Sequence, residues 1–129
     1  MSTVPKLELY DQAIKAYKKA TEAKPELLQA WQGISSFYEK KKDVTKEDLE
    51  DLAGAYEKIL KFFETIDDMK KYYLTSEKLV TLHYEKLGHF HNAIKVIQDR
   101  IRVCMYLIVK LLKDFFFDFL NYVLANVVN

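Results

Sequence analysis

Small and aromatic residues recur along this chain in one order, and that order limits its fold more than any single motif. Ala13, Tyr17, Ala20 and Pro25 lie in "YDQAIKAYKKATEAKPE", a helically spaced stretch that ends at a proline. Trp31, Ile34, Ser35 and Tyr38 follow in "LLQAWQGISSFYEK". Residues three, four and seven apart share one helix face, so Trp31, Ile34 and Tyr38 form a stripe. The later part of that stripe returns as Val80, Thr81 and Tyr84. Gly88 then marks a turn, and Ala93 with Ile97 opens a new helix as Ala13 and Tyr17 did. Repetition on this scale predicts units that bury their apolar stripes only by stacking on one another.

A helix with W-x-x-L-G-x-x-Y spacing, then one with A-x-x-x-F and a closing proline, is the pattern of the tetratricopeptide repeat, which this chain resembles. Tyr38 to Tyr84 is 46 residues and Ala13 to Ala93 is 80, each exceeding whole periods of about 34 by about 12. One insertion accounts for both. It falls at "KKKDVTKEDLEDL", where Thr45 and Asp48 stand at capping-box spacing for a new helix start. Ser35 and Ala13 are expected where one helix backbone approaches the next, with Trp31 and Tyr17 filling the space beside them. Trp31, Tyr38, Tyr17 and Tyr84 are therefore read as packing residues rather than ligand contacts.

The expected fold is all-α: a tetratricopeptide-repeat helical solenoid of about two and a half repeats plus an apolar C-terminal helix. Residues 1–102 hold the repeats, as a lone second helix at 6–23 and helix pairs near 26–64 and 68–102. Residues 103–129 form a helical tail outside the pattern. Since the first helix lacks a partner, the chain is expected to be a piece of a longer array.

Composition narrows the function. The 20 Lys+Arg balance 19 Asp+Glu, which leaves no electrostatic footprint for nucleic acid. With 3 Gly and 2 Pro, the chain favours long helices over hairpins. The single Cys104 forms no internal disulfide and fits a reducing compartment. The start, "MSTVPKLELYDQ", has no apolar signal region.

Chemistry-bearing clusters are sparse. His83, His89 and His91 gather around Gly88, yet no Cys or carboxylate joins them at ligand spacing. Glu47, Asp48, Glu50, Asp51, Asp67 and Asp68 lie near helix starts, where carboxylates ordinarily complement the dipole. Ser35-Ser36 sits inside a helix rather than on a nucleophile elbow. No Gly-rich phosphate loop is present. An enzyme is not expected, and no catalytic, cofactor-binding or metal residues are assigned. Lys18-Lys19, Lys40-Lys41-Lys42 and Lys70-Lys71 could touch RNA phosphates, but each has acids nearby and no interleaved aromatics.

A narrower resemblance rests on "LLQAWQGISSFYEK", "DLAGAYEKILKFFETIDDMKK" and "SEKLVTLHYEKLGHFHNAIKVI". Gln32-Gly33 after Trp31, and the insertion before "DLAGAYEKILKFFE", go beyond the generic repeat. Over roughly residues 8–100 the chain resembles the N-terminal repeats of the tetratricopeptide-repeat subunits of Ski (superkiller) complexes. The resemblance implies a non-catalytic, cytoplasmic protein–protein scaffold, with the nucleus left open as a location. It implies a helicase subunit, a WD-repeat subunit and the exosome as partners in 3′–5′ messenger RNA decay, with RNA contact at most indirect. The alternative is a peptide-binding adaptor of the co-chaperone type. Such clamps use side-chain donors where this chain has Gly33 and Leu79, which have none.

The tail, "RIRVCMYLIVKLLKDFFFDFLNYVLANVVN", is sharply apolar, with Phe115, Phe116 and Phe117 in a row. Lys110, Asp114, Asp118, Asn121 and Asn126 are read as a narrow polar stripe on it. Asp114 and Asp118 argue against a membrane span. An exposed apolar helix is expected, with self-association through the tail.

Overall fold

The computed structural model describes residues 6–127; the ends of the expected repeat segment and tail, 1–5 and 128–129, lie outside the described residues. Five α-helices follow in order: α1 (Lys6–Ala23), α2 (Leu28–Lys40), α3 (Lys46–Thr65), α4 (Met69–Thr81) and α5 (Phe90–Val127). A π-helical turn, Leu82–Leu87, prolongs α4. No strand occurs among the described residues. Each helix packs on its neighbours in the chain, α1 on α2, α2 on α3, α3 on α4 and α4 on α5. The architecture is an all-α, tetratricopeptide-type helical solenoid.

Helix α3 lies between α2 and α4, so its apolar arc is the widest. Leu52, Ala53, Ala55, Tyr56, Ile59, Leu60 and Phe63 are all buried on it. From α2 come Ile34 and Tyr38, and from α4 Tyr72 and Leu79. These side chains interlock at three- and four-residue spacing, which is why none of the repeats holds its core alone.

Short polar devices set the helix ends. Thr45 Oγ1 accepts from the Asp48 amide at 3.1 Å while the Asp48 carboxylate accepts from the Thr45 amide at 3.0 Å. This is the reciprocal box that the sequence spacing suggested, and it starts α3 after the exposed residues Lys41–Val44. Between α3 and α4, Asp67 adopts the left-handed conformation at φ 58°, one of the few non-glycine residues that tolerate it. Gly88 does the same at φ 66° after the π turn, and His89 N–H donates to His83 O at 2.8 Å.

The structure corrects the expected close approach. Ala13 is exposed, and Ser35, although buried, turns its hydroxyl to Gln32 O at 2.9 Å. The contact between α1 and α2 is made instead at Gly33, where the ring of Tyr17 covers the backbone. Trp31 also differs from expectation. It is partly buried at the edge of the core, and its indole N–H donates to Pro25 O at 2.7 Å, closing the α1–α2 turn.

A register correction follows from burial. Leu79 and His83, at 0% and 3% exposure, lie 45 residues after Ile34 and Tyr38. Tyr84, 46 residues after Tyr38, is 61% exposed and packs only edge-on to Phe90. A π turn holds one residue more than an α turn of the same rise, so it restores by Ala93 the spacing seen from Ala13. The excess of about 12 residues is thus divided: all but one precede Leu79, shared between the connection at 41–45 and the added length of the 20-residue α3, and the last is in the π turn.

Helix α5 runs without a break through residue 102. Ala93 and Val103 are buried, while every described residue from Lys110 to Val127 is exposed except the half-buried Val123. No described helix is long and apolar enough to cross a membrane.

Candidate functional site

Among the described residues, two of the grooves and one bare helix face offer surfaces for contact. The first groove, about 570 Å³, runs between α2 and α4 over α3, with Tyr38, Leu52, Tyr56 and Leu82 at its base. Glu39 and Lys78 stand on its walls and meet at 3.3 Å. The Tyr56 hydroxyl donates to the same Glu39 carboxylate at 2.5 Å. Burial, then the hydrogen bond to Glu39 and its charge, pushes the Tyr56 phenol far above its usual range, so it remains a neutral donor.

Beside this groove, Asp51 joins three helices. It accepts from Lys18 Nζ of α1 at 2.9 Å and from the Tyr38 hydroxyl of α2 at 3.0 Å. Burial raises the Tyr38 phenol, Asp51 raises it further, and Lys18 opposes both. Tyr38 is a packing residue with a bonded polar tip, which is how a buried tyrosine is normally accommodated.

The second groove, about 410 Å³, lies between α3 and α5 over α4. Leu60, Tyr72, Leu79 and His83 form its floor, and Glu64, Lys95, Asp99 and Arg102 its rim. Rim charges pair across it, as Arg102 does with Glu64 at 3.3 Å. His83 Nδ1 is buried without a hydrogen-bond partner, and burial holds its imidazole below the ordinary value. The His83 and His89 rings lie 6.0 Å apart, while His91 is exposed. Among the described residues no group of three or more His, Cys, Asp or Glu is placed to hold a metal ion.

Each lysine cluster considered for RNA gives one member to an acid. Lys18 pairs with Asp51, Lys41 with Asp48 at 2.6 Å, and Lys71 with Asp68 at 3.7 Å. That local neutralisation leaves exposed ion pairs rather than a continuous phosphate track. The clamp positions of a co-chaperone adaptor are also closed. Leu79 is fully buried, and Gly33 lies under Tyr17.

What remains is a surface suited to protein contact, and known proteins sharpen that reading. The chain is 40% identical over 100 residues to human superkiller complex protein 3. It is 42% identical over 99 residues to the mouse protein of that name, and 37% identical over 100 residues to tetratricopeptide repeat protein 37 of Xenopus laevis. The likeness to the superkiller repeat subunit is thereby shown. The matched stretches are 72–73% of this chain but 6% of each relative's length. No family model matches the chain, and no solved structure matches it. Fold and likeness together describe a tetratricopeptide-type helical scaffold. The sequence marks none of its residues as a site; the paired grooves arise only from the placement of α3 between α2 and α4.

Proposed function

We propose that this chain acts as a non-catalytic protein–protein scaffold of a superkiller-type complex, assisting exosome-mediated 3′–5′ decay of cytoplasmic messenger RNA. The observation that supports this reading is the 40% identity over 100 residues to superkiller complex protein 3. Residues 1–102 are read as the repeat segment and 103–129 as its appended tail. The partners in this reading are a helicase subunit, a WD-repeat subunit and the exosome, met in the cytoplasm through the two grooves. RNA is held by the helicase rather than by this chain.

The test is affinity purification of the tagged chain from cytoplasmic extract, followed by identification of bound proteins. Recovery of helicase, WD-repeat and exosome proteins supports the reading. Recovery of chaperones with none of these overturns it in favour of an adaptor. The purified chain is also expected to leave ATP and RNA unhydrolysed, and turnover that survives repurification would contradict a scaffold role.

A further inference from the structure

Helix α5 carries a regular seam that the apolar character of the tail conceals. Its first part is aliphatic: Ile94, Ile101, Met105, Ile108 and Leu112. Its second part is aromatic: Phe115, Phe119 and Tyr122. From Ile101 onward the steps alternate four and three, the a/d spacing of a coiled coil, and Ile94 lies one heptad before Ile101. Gln98 is the one polar residue within it. All of these apolar side chains are between 51% and 70% exposed. The seam points away from the repeats, because α5 meets them through Ala93 and Val103 on another side of the helix.

The length of the seam decides what can cover it. Ile94 to Tyr122 spans about 42 Å at the rise of an α-helix. The other helices have 13 to 20 residues, so a further repeat helix of that size would leave part of the seam bare. A second α5, with 38 residues, covers it entirely. The seam side chains offer on the order of 100 Å² each, which amounts to about 800 Å² per partner and matches a standard stable interface.

The order of residues along the seam sets the direction. When two copies run antiparallel with Ile108 opposite Leu112, Met105 faces Phe115 and Ile101 faces Phe119. Both phenylalanine rings of the seam then meet an aliphatic chain, as close packing across a core requires. The same register sets Gln98 opposite Tyr122, whose hydroxyl can satisfy the amide. Parallel pairing would instead place Phe on Phe and leave Gln98 against its own copy. We propose that a second copy of this chain docks on the α5 seam, forming an antiparallel two-helix interface from Gln98 to Tyr122, with Ile94 of each copy facing Asn126 of the other beyond it.

The test uses the full chain in solution. Light scattering is expected to give twice the chain mass, and Leu112→Asp is expected to weaken association by at least about tenfold while circular dichroism stays helical. Phe117→Asp is the control, since Phe117 is 64% exposed but lies off the seam. It should leave the dimer intact. For direction, Ile101→Cys and Phe119→Cys chains, each also carrying Cys104→Ser, are mixed and oxidised. Disulfide-linked mixed pairs support the antiparallel register. A monomer, equal loss with Phe117→Asp, or linkage only between two Ile101→Cys chains would overturn the proposal.

Discussion

The ring of Tyr17 lies on the backbone of Gly33, so close that a Cβ at Gly33 would come within 2.7 Å of Cδ1 of the ring. Alanine is normally better than glycine inside a helix by about 1 kcal/mol. Here the added methyl must displace Tyr17, and overpacking of this kind costs about 1–3 kcal/mol. Gly33→Ala is therefore expected to destabilise the chain. In a Tyr17→Ala background the obstruction is gone, and the same Gly33→Ala change should stabilise by about 0.5–1 kcal/mol. Urea unfolding of the four chains measures both signs. If Gly33→Ala stabilises with Tyr17 in place, the α1–α2 contact is looser than described.

Trp31 holds a turn more than it fills a core. Trp31→Phe keeps most of the ring contact and loses the bond to Pro25 O, so a loss of about 1 kcal/mol is expected. Trp31→Ala should cost about 2–3 kcal/mol, below the 3–5 of a fully buried tryptophan. Thermal or urea unfolding tests the order. A full 5 kcal/mol loss would mean that the ring sits deeper than its partial burial indicates.

The sequence carried the helical order, because the small-aromatic pattern of a stacked repeat is a direct imprint of helix packing. The Thr45–Asp48 box was legible for the same reason: its chemistry is local. Ser35 and Gly33 are both small, so the sequence points to Ser35 as readily as to Gly33 for the close approach, and only Tyr17 in three dimensions distinguishes them. The repeat pattern points to Tyr84 where the structure buries His83, because a periodic pattern assumes one helix type whereas the π turn adds a residue. In the tail, Asn126 was read into the polar stripe with Lys110 and Asp114. At about 100° per residue it falls instead in line with Leu112 and Phe119, at the end of the seam. Apolar residues surround so much of α5 that its scattered polar residues stand out in the sequence more plainly than the heptad does.

The α2–α3 connection divides into a replaceable part and a fixed one. Lys42, Asp43 and Val44 are exposed, so replacing them by Ser, Asn and Ser should change stability by no more than about 0.5 kcal/mol. Thr45→Ala removes a cap bond from the start of α3 and should cost about 1 kcal/mol. Chemical denaturation of both variants distinguishes the two halves. A large loss from the triple replacement would show that the inserted segment is packed.

His83 makes stability depend on pH in a definite direction. Burial lowers its folded pKa below the ordinary value of 6.5; Glu57 partly opposes this, and His89 reinforces it. The unfolded chain therefore takes up this proton before the folded chain does. Stability is full above about pH 6.5, declines as pH falls below it, and levels off once folded His83 is itself protonated. His83→Leu removes the group and suits the apolar surroundings of Leu79 and Leu82, so its midpoint should fall less than that of the parent between about pH 7 and pH 5. His89→Gln keeps the buried imidazole and should retain most of the parent slope. Carboxylates begin to titrate at the lower end for all three chains, so the difference between their slopes is the readout. Identical slopes for parent and His83→Leu would mean that His83 is hydrated in the folded chain and titrates as it does when unfolded.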